Sequence, residues 1–480
     1  MQNSRFFFAL LAVCAAIGIG SIWAYPYFSI NNTGLFIIPY LIALIVLGIP
    51  LLMLEFSIGQ YFGTNVVDIF SSVKKWFSFI GWLMLINAFI ATSIAAVMLA
   101  WAILYLFTSF GLQWEGNASG YFLNNITQAS NGINGFTHLS LPVFIALIFS
   151  WVIIFFFIRK GYETAKKTFL AGSTVLAALL IFLFFYSLSL DNALEGAYAM
   201  LNPDFSGLAD LGLWIAAFYT AIISLGISFG IMPVISRKLE KGFITGNSFI
   251  VAFSELIASI AIGLIIAGFI GFLSLKKSVG LEKIVSADYS STFTILADAF
   301  PFLGSGTLIS LIFFLFIGII LIFASAMLAY AISHVIVHKF KTKHISASIL
   351  VCGLGFLSGL IFVVKPGMYI MDMASHFISY NILIVVLLEA VAIGWFFNSE
   401  KISDFINNSS SLKLGNIWKL MIRFVIPLIV FLIIIFQLKT DLASNYKDYP
   451  TWALLVFGLG TIAIPMLIAF LMPQKIWDRR

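Results

Sequence analysis

Three carboxylic acids, Glu55, Glu255 and Glu389, stand inside stretches of this chain that are otherwise apolar. An acid in such surroundings must hold freed backbone groups, carry a proton or face an ion, because an unpartnered charge there is costly. Each is therefore a candidate for proton relay or for stapling irregular backbone. A fourth acid, Asp372, precedes His376 by four residues, so the two share one helical face and can pair as a gate that titrates over the histidine range. His334 and His338 have the same spacing, but Lys339, Lys341 and Lys343 follow them, which reads as a solvated helix end and not as a metal site. Cys14 and Cys352 are isolated in apolar sequence and read as small packing residues. A membrane-embedded enzyme would need a cluster such as two histidines at i, i+4 with an acid inside one span, and the five histidines fall at loops or span ends, so an enzyme is not expected.

The elements that position these acids follow from composition. Hydrophobic residues make up 61% of the 480 and charged ones 10%, and the mean hydropathy is +1.08. That balance excludes a soluble domain and indicates a polytopic, all-α membrane protein. Apolar runs long enough to cross about 30 Å of hydrocarbon fall near 6–27, 35–60, 77–108, 141–158, 167–190, 212–235, 247–273, 307–333, 346–364, 372–398, 418–438 and 452–473, which predicts twelve spans. The first run is longer than the core of a signal peptide and leads directly into further spans, so no cleavable signal is expected. With the amino terminus inside, the 26 Lys and Arg divide as twenty in the loops of that side, Arg5, Lys238, Lys241, Arg479 and Arg480 among them, against six on the other: Lys276, Lys277, Lys283, Lys365, Lys439 and Lys447. This bias predicts a multi-pass protein of the cell membrane with both termini cytoplasmic, and it accounts for the basic balance without a nucleic-acid partner. The loops at 109–140, 191–211 and 274–306 are expected to carry short surface helices, with 291–306 forming a turn or two that ends at Pro301.

Two spans look built to break. The first contains "CAAIGIGSIWAYPY" (14–27), with Gly18, Gly20 and Pro26, and the sixth contains "SLGISFG" (224–230), with Gly226 and Gly230. Interrupting a helix in hydrocarbon frees backbone amides and carbonyls, which persist only where something polar takes them up. Close packing through small residues is the alternative for either motif alone. Interruptions in spans 1 and 6 together fit an inverted repeat of spans 1–5 and 6–10, whose half-helices frame a site at mid-membrane. Freed amides and positive helix ends there suit an anion and freed carbonyls suit a cation, which points to a zwitterionic solute.

"AIGIGSIWAYPY" followed by "NNTGLFIIPYLIALIVLGIPLLMLEFSIGQ" resembles the first two spans of the neurotransmitter:sodium symporter family, and "WIAAFYTAIISLGISFG", Trp101, Glu255 and "MDM" with Glu389 extend the similarity along the chain. The resemblance implies a twelve-helix fold with an inverted 5+5 core at 1–398 and two additional helices and a cytoplasmic tail at 399–480. It also implies transport of amino acids or amines coupled to sodium, which is carried and is not a prosthetic group. By the same resemblance the amides of Gly18, Ile19 and Gly20 cradle a substrate carboxylate, while Ala91, Ala95, Ile223, Ser224, Gly226, Phe229 and Leu328 line the rest of the pocket. A first sodium site falls on Ala16, Ser21, Ser224 and Ser254, and a second on Cys14, Ile17, Ile320, Phe323 and Ala324.

The chain also departs from the family pattern. Ala24 replaces the arginine that follows the break in span 1, although its expected partner Asp372 remains. Ala95 replaces the tyrosine over the carboxylate, and Ile223 replaces an aromatic lid. Ala91, Ala95 and Gly226 remove volume where family members with small substrates carry larger groups, which predicts a bulky apolar amino acid as substrate. Phe323 and Ala324 stand where hydroxyls are needed, unless Ser325 contributes, so at most one sodium is expected, at the serine site, with Glu255 as a proton carrier if sodium is dispensable. Proton-coupled or ion-independent transport of an amino acid or amine is the alternative. A membrane receptor that binds the solute without moving it is the reading from another class.

Overall fold

The computed structural model describes residues 10, 12–14, 16–18, 20–32, 34–130, 132–136, 138–237, 242–285 and 290–476. Arg5, Lys238, Lys241, Arg479 and Arg480 of the charge argument, and Ile19 of the carboxylate cradle, lie outside these residues. Among the described residues the secondary structure is helical, with one isolated bridge between Leu139 and Val364.

Among the described residues ten helices are long and apolar enough to cross a membrane. We number them with the short helices at the two breaks, in chain order: α1 Tyr25–Asn31, α2 Ile37–Phe62, α3 Lys75–Gly111, α4 Leu141–Ile158, α5 Thr168–Leu188, α6 Leu211–Ser224, α7 Ile231–Ser236, α8 Ile244–Lys277, α9 Gly306–Phe340, α10 His344–Phe362, α11 Gly367–Phe396, α12 Gly415–Ala443 and α13 Thr451–Met472. Among the described residues, the two runs expected to break are the two without a continuous long helix. Around the sixth, α6 and α7 are separated by the turns at 225–230. In the first, residues 17 and 18 form a bend before a wide turn at Gly20–Ala24 leads into α1.

Helix is the outcome because hydrocarbon leaves a backbone no partner but its own chain. Prolines within the spans are absorbed locally. Pro50 in α2 and Pro427 in α12 each follow a wider, π-helical turn, Leu44–Gly48 and Met421–Val425, which opens the ladder where the proline ring would strike the carbonyl four residues back. The longer loops carry short helices at Ala118–Tyr121, Ala193–Leu201 and Ser291–Thr294, and Pro301 sits inside a 3₁₀ turn, Ala297–Phe302, instead of ending it.

The most apolar stretches of α3, α8 and α11 are each 78% buried within the protein, whereas those of α12 and α13 are 22% and 17% buried. The first three form the middle of the bundle and the last two lie at its periphery. α12 nevertheless packs along α11, which matters below.

Candidate functional site

Both helix breaks reach the centre of the bundle. After α6 the chain turns with Gly226 at φ 65°, Ser228 at φ 68° and Gly230 at φ 72°. Glycine accepts this left-handed conformation, whereas serine is disfavoured in it. Two of the intramembrane acids hold Ser228 there. Glu55 of α2 accepts its backbone amide at 2.7 Å, and its hydroxyl donates to Glu389 of α11 at 3.2 Å. The two acids thus meet at one break and take up the polar groups that the helix has released. The other break touches this one directly, since a Cβ built on Gly20 would lie 3.1–3.2 Å from the Cβ, Cα and amide nitrogen of Ser224.

The third acid gathers hydroxyls. Glu255 of α8 is fully buried and accepts from Ser21 at 3.0 Å, Tyr40 at 2.6 Å and Ser259 at 2.5 Å, while the Tyr40 and Ser224 hydroxyls lie 2.7 Å apart. Ser21, Ser224, Tyr40, Ser259 and Glu255 therefore form one oxygen-rich nest between the two breaks. Ser254, expected in this group, is not in it. It is half-buried next to the lipid-facing Phe253, and Ile257 is exposed on the same side. One residue along a helix is a rotation of about 100°, so Glu255 and, one turn later, Ser259 face the nest while Ser254 faces away. Tyr40 was missed because its ring reads as core in an apolar run.

At the second expected ion site the hydroxyl groups are missing. Ala324 lies beside the first break, 3.8 Å from where a Gly18 side chain would begin. The Phe323 ring packs against Phe169 at a tilt of 44° with centroids 4.8 Å apart and fills the space over Gly172 of α5. Ser325 donates to the Leu321 carbonyl of its own helix at 2.7 Å. Cys14, Ala16 and Ile320 are buried and Ile17 is half-buried.

A cavity of about 530 Å³ begins at Gly20 and is walled by Ala91, Ile223 and Phe229 from the expected pocket. Ala95, Ser224, Gly226 and Leu328 are buried behind this wall. The sequence reading missed Ala216, Tyr219 and Thr220 on α6, and Ser375, Ile378 and Ile382 on α11. Successive steps of three or four residues, through Ala216, Tyr219, Thr220 and Ile223 and through Asp372, Ser375, Ile378 and Ile382, are the signal that could have placed them on the same faces. Trp23, Phe28 and Ile94 complete an aromatic and aliphatic lining. Trp101 is buried outside the lining, edge-on to Phe122 and Phe293.

Asp372 and His376 line the same cavity, but they do not pair with each other. Asp372 meets Lys447 at 3.1 Å and accepts from Tyr449 at 2.9 Å. His376 meets Asp441 at 2.9 Å, and its ring stacks on Tyr446 with centroids 3.8 Å apart. The physical reason is that both face the end of α12 and the loop after it, where a cation and an anion supply each with an opposite partner. His334 and His338 have ring centroids 4.5 Å apart, with Arg237 3.1 Å from His338 Nε2. Among the described residues no three His, Cys, Asp or Glu side chains group to hold a metal.

Comparison with known proteins identifies the family. The model of the sodium:neurotransmitter symporter family matches residues 1–118 and 114–478. The chain is 30% identical over 480 residues to the uncharacterized sodium-dependent transporter MJ1319 of Methanocaldococcus jannaschii, covering 98% of this chain and 97% of that one. It is 24% identical over 505 residues to the sodium- and chloride-dependent GABA transporter ine of Drosophila melanogaster, covering 94% of this chain and 52% of that protein. The chain therefore belongs to the sodium:neurotransmitter symporter family, whose members are membrane-integral transporters and not enzymes.

Proposed function

We propose that this protein is a secondary active symporter of a neutral, bulky apolar amino acid, coupled to at most one sodium ion. The observation that carries the reading is the cavity that starts at Gly20, where the two breaks touch, and is lined by Trp23, Phe28, Ile94, Ile223 and Phe229. Its volume lies in the usual range for small-ligand sites, about 300–1,000 Å³. The solute carboxylate takes the amides freed near Gly18 and Gly20, and the side chain extends between Ile94, Ile223 and Phe229. Sodium sits at the nest of Ser21, Ser224 and Glu255, with the carbonyl of Ala16 within the same segment. The expected architecture goes with this reading: twelve spans, an inverted repeat at 1–398 with two further helices at 399–480, both termini cytoplasmic, and the loop at 444–450 on the outer face.

Because the breaks in spans 1 and 6 touch at Gly20 and Ser224, a solute and an ion bound between them bear on both half-helix pairs at once. That contact couples binding to rearrangement of the bundle. Glu255 supplies negative charge to the ion, and if sodium proves dispensable the same carboxylate is the site for a proton.

The test is a screen of amino acids with and without sodium by thermal stability of the purified protein, followed by labelled-solute flux in proteoliposomes. A ligand of the native state raises the unfolding temperature, and each additional buried CH₂ adds about 0.8 kcal/mol if the pocket fills. Alanine bound more tightly than leucine and phenylalanine would reject the bulky substrate. Binding without flux would leave the receptor reading.

A further inference from the structure

The partners of Asp372 come from one short segment. Tyr446, Lys447 and Tyr449 of the loop at 444–450, between α12 and α13, all reach this carboxylate, at 3.4, 3.1 and 2.9 Å. One turn along α11, His376 meets Asp441 near the end of α12, and Tyr380 donates to the same acid at 2.7 Å. The face of α11 gripped in this way also forms the wall of the solute cavity through Asp372, Ser375 and His376. Tyr446 and Lys447 line the same cavity. On the span 1 side of the wall stands Ala24, whose methyl group offers Asp372 nothing to pair with.

We propose that the loop at 444–450 is the outer gate of the solute pathway and that Lys447 is its latch on Asp372. The latch suits a reversible closure. Lys447 and Asp372 keep 44% and 18% of their side-chain surface exposed, and ion pairs at the water boundary are weak enough to open repeatedly. Lys447 and Asp448 both have left-handed backbone, with φ of 47° and 56°, a conformation that L side chains resist and that the grip on Asp372 maintains. Burial, together with the neighbouring Asp372 carboxylate, holds the Tyr449 phenol above its ordinary range, so it stays protonated and keeps donating. The lower anchor at Asp441 fixes the base of the strap to α11. Gating is thereby assigned to the two peripheral helices and not only to the interrupted ones.

This inference rests on the transporter reading for its purpose but is tested apart from it. Ser375→Cys on the cavity wall serves as a reporter in proteoliposomes, labelled by a membrane-impermeant methanethiosulfonate reagent. Both native cysteines, Cys14 and Cys352, are buried, so wild-type protein defines the background. Added to the reporter, Lys447→Gln is expected to raise the labelling rate about threefold, the population shift expected on losing a partly exposed ion pair, and Asp372→Asn is expected to do the same. Lys447→Arg, which keeps the charge, and Lys439→Gln, on an exposed lysine outside the latch, should leave the rate at the parent value. An unchanged rate in Lys447→Gln, or a rise in Lys447→Arg equal to that in Lys447→Gln, overturns the gate. Wild-type protein that moves no solute would instead overturn the transporter reading, while the labelling rates still decide the gate.

Discussion

A methyl group at Gly20 would sit 3.1 Å from the Cβ of Ser224 and 3.2 Å from its backbone, so any side chain there must push the two helix breaks apart. Overpacking of this kind costs about 1–3 kcal/mol. Gly20→Ala is expected to weaken amino acid binding by about tenfold, the equivalent of roughly 1.4 kcal/mol, and Gly20→Val to remove ligand-induced thermal stabilisation altogether. Binding by Gly20→Val at wild-type strength would show that the solute does not use this contact. At Glu255 the question is charge. Glu255→Gln keeps a carbonyl acceptor for Ser21 and Ser259, offers Tyr40 a donor in place of the second oxygen, and removes the negative charge beside the proposed cation. The variant should fold and lose the rise in unfolding temperature that sodium chloride gives over an equal concentration of potassium chloride. Ser254→Ala, on the half-exposed side of α8, should retain that rise, whereas Ser21→Ala should diminish it. The reverse ranking of the two serines would restore Ser254 to the ion site.

Among the elements, the break between α6 and α7 depends on an acid from another helix. Glu55→Ala leaves the Ser228 amide buried without its acceptor, a loss of about 1–3 kcal/mol, and opens a cavity as well. Its thermal midpoint in detergent should fall clearly below wild type, while Glu55→Gln, whose side-chain carbonyl still accepts the amide, should stay close to it. Equal losses in the two variants would mean that the carboxylate charge, and not the hydrogen bond, holds the break. Two readings were open for this acid, backbone staple or proton relay, and its partnership with Ser228 is what the staple requires. Glu389 joins the same serine through the hydroxyl. Glu255, which sequence context could not separate from the other two acids, has no backbone partner of this kind and serves a cluster of hydroxyls. Three acids that look equivalent in an apolar run are thus divided between two environments by the helices they face.

For the whole molecule the expectation is one coupling ion. The second candidate site offers Ala324 beside span 1 and a phenyl ring turned toward α5, and sodium binds poorly without oxygen donors. Uptake into proteoliposomes should depend on an imposed sodium gradient with a Hill coefficient of about one, since this coefficient cannot exceed the number of interacting sites. A coefficient near two, or uptake driven by a proton gradient alone, would overturn the single-sodium reading. The amino-acid sequence by itself determined the membrane class, the long helices and the places where two of them break. These properties follow from hydropathy and backbone propensity, which are local and hence written in consecutive residues. It also carried the family resemblance, in ordered glycines, prolines and the "GIPLLMLEFSIGQ" block. Only the tertiary structure decided which side chains meet. His376 chose Asp441 over Asp372, Asp372 chose Lys447, and Glu255 displaced Ser254 at the nest, because these choices depend on helix rotation and on segments 65 and 75 residues away in sequence. Spacing along one helix states which residues share a face, but the partner on that face is supplied by another helix, whose position is fixed by packing.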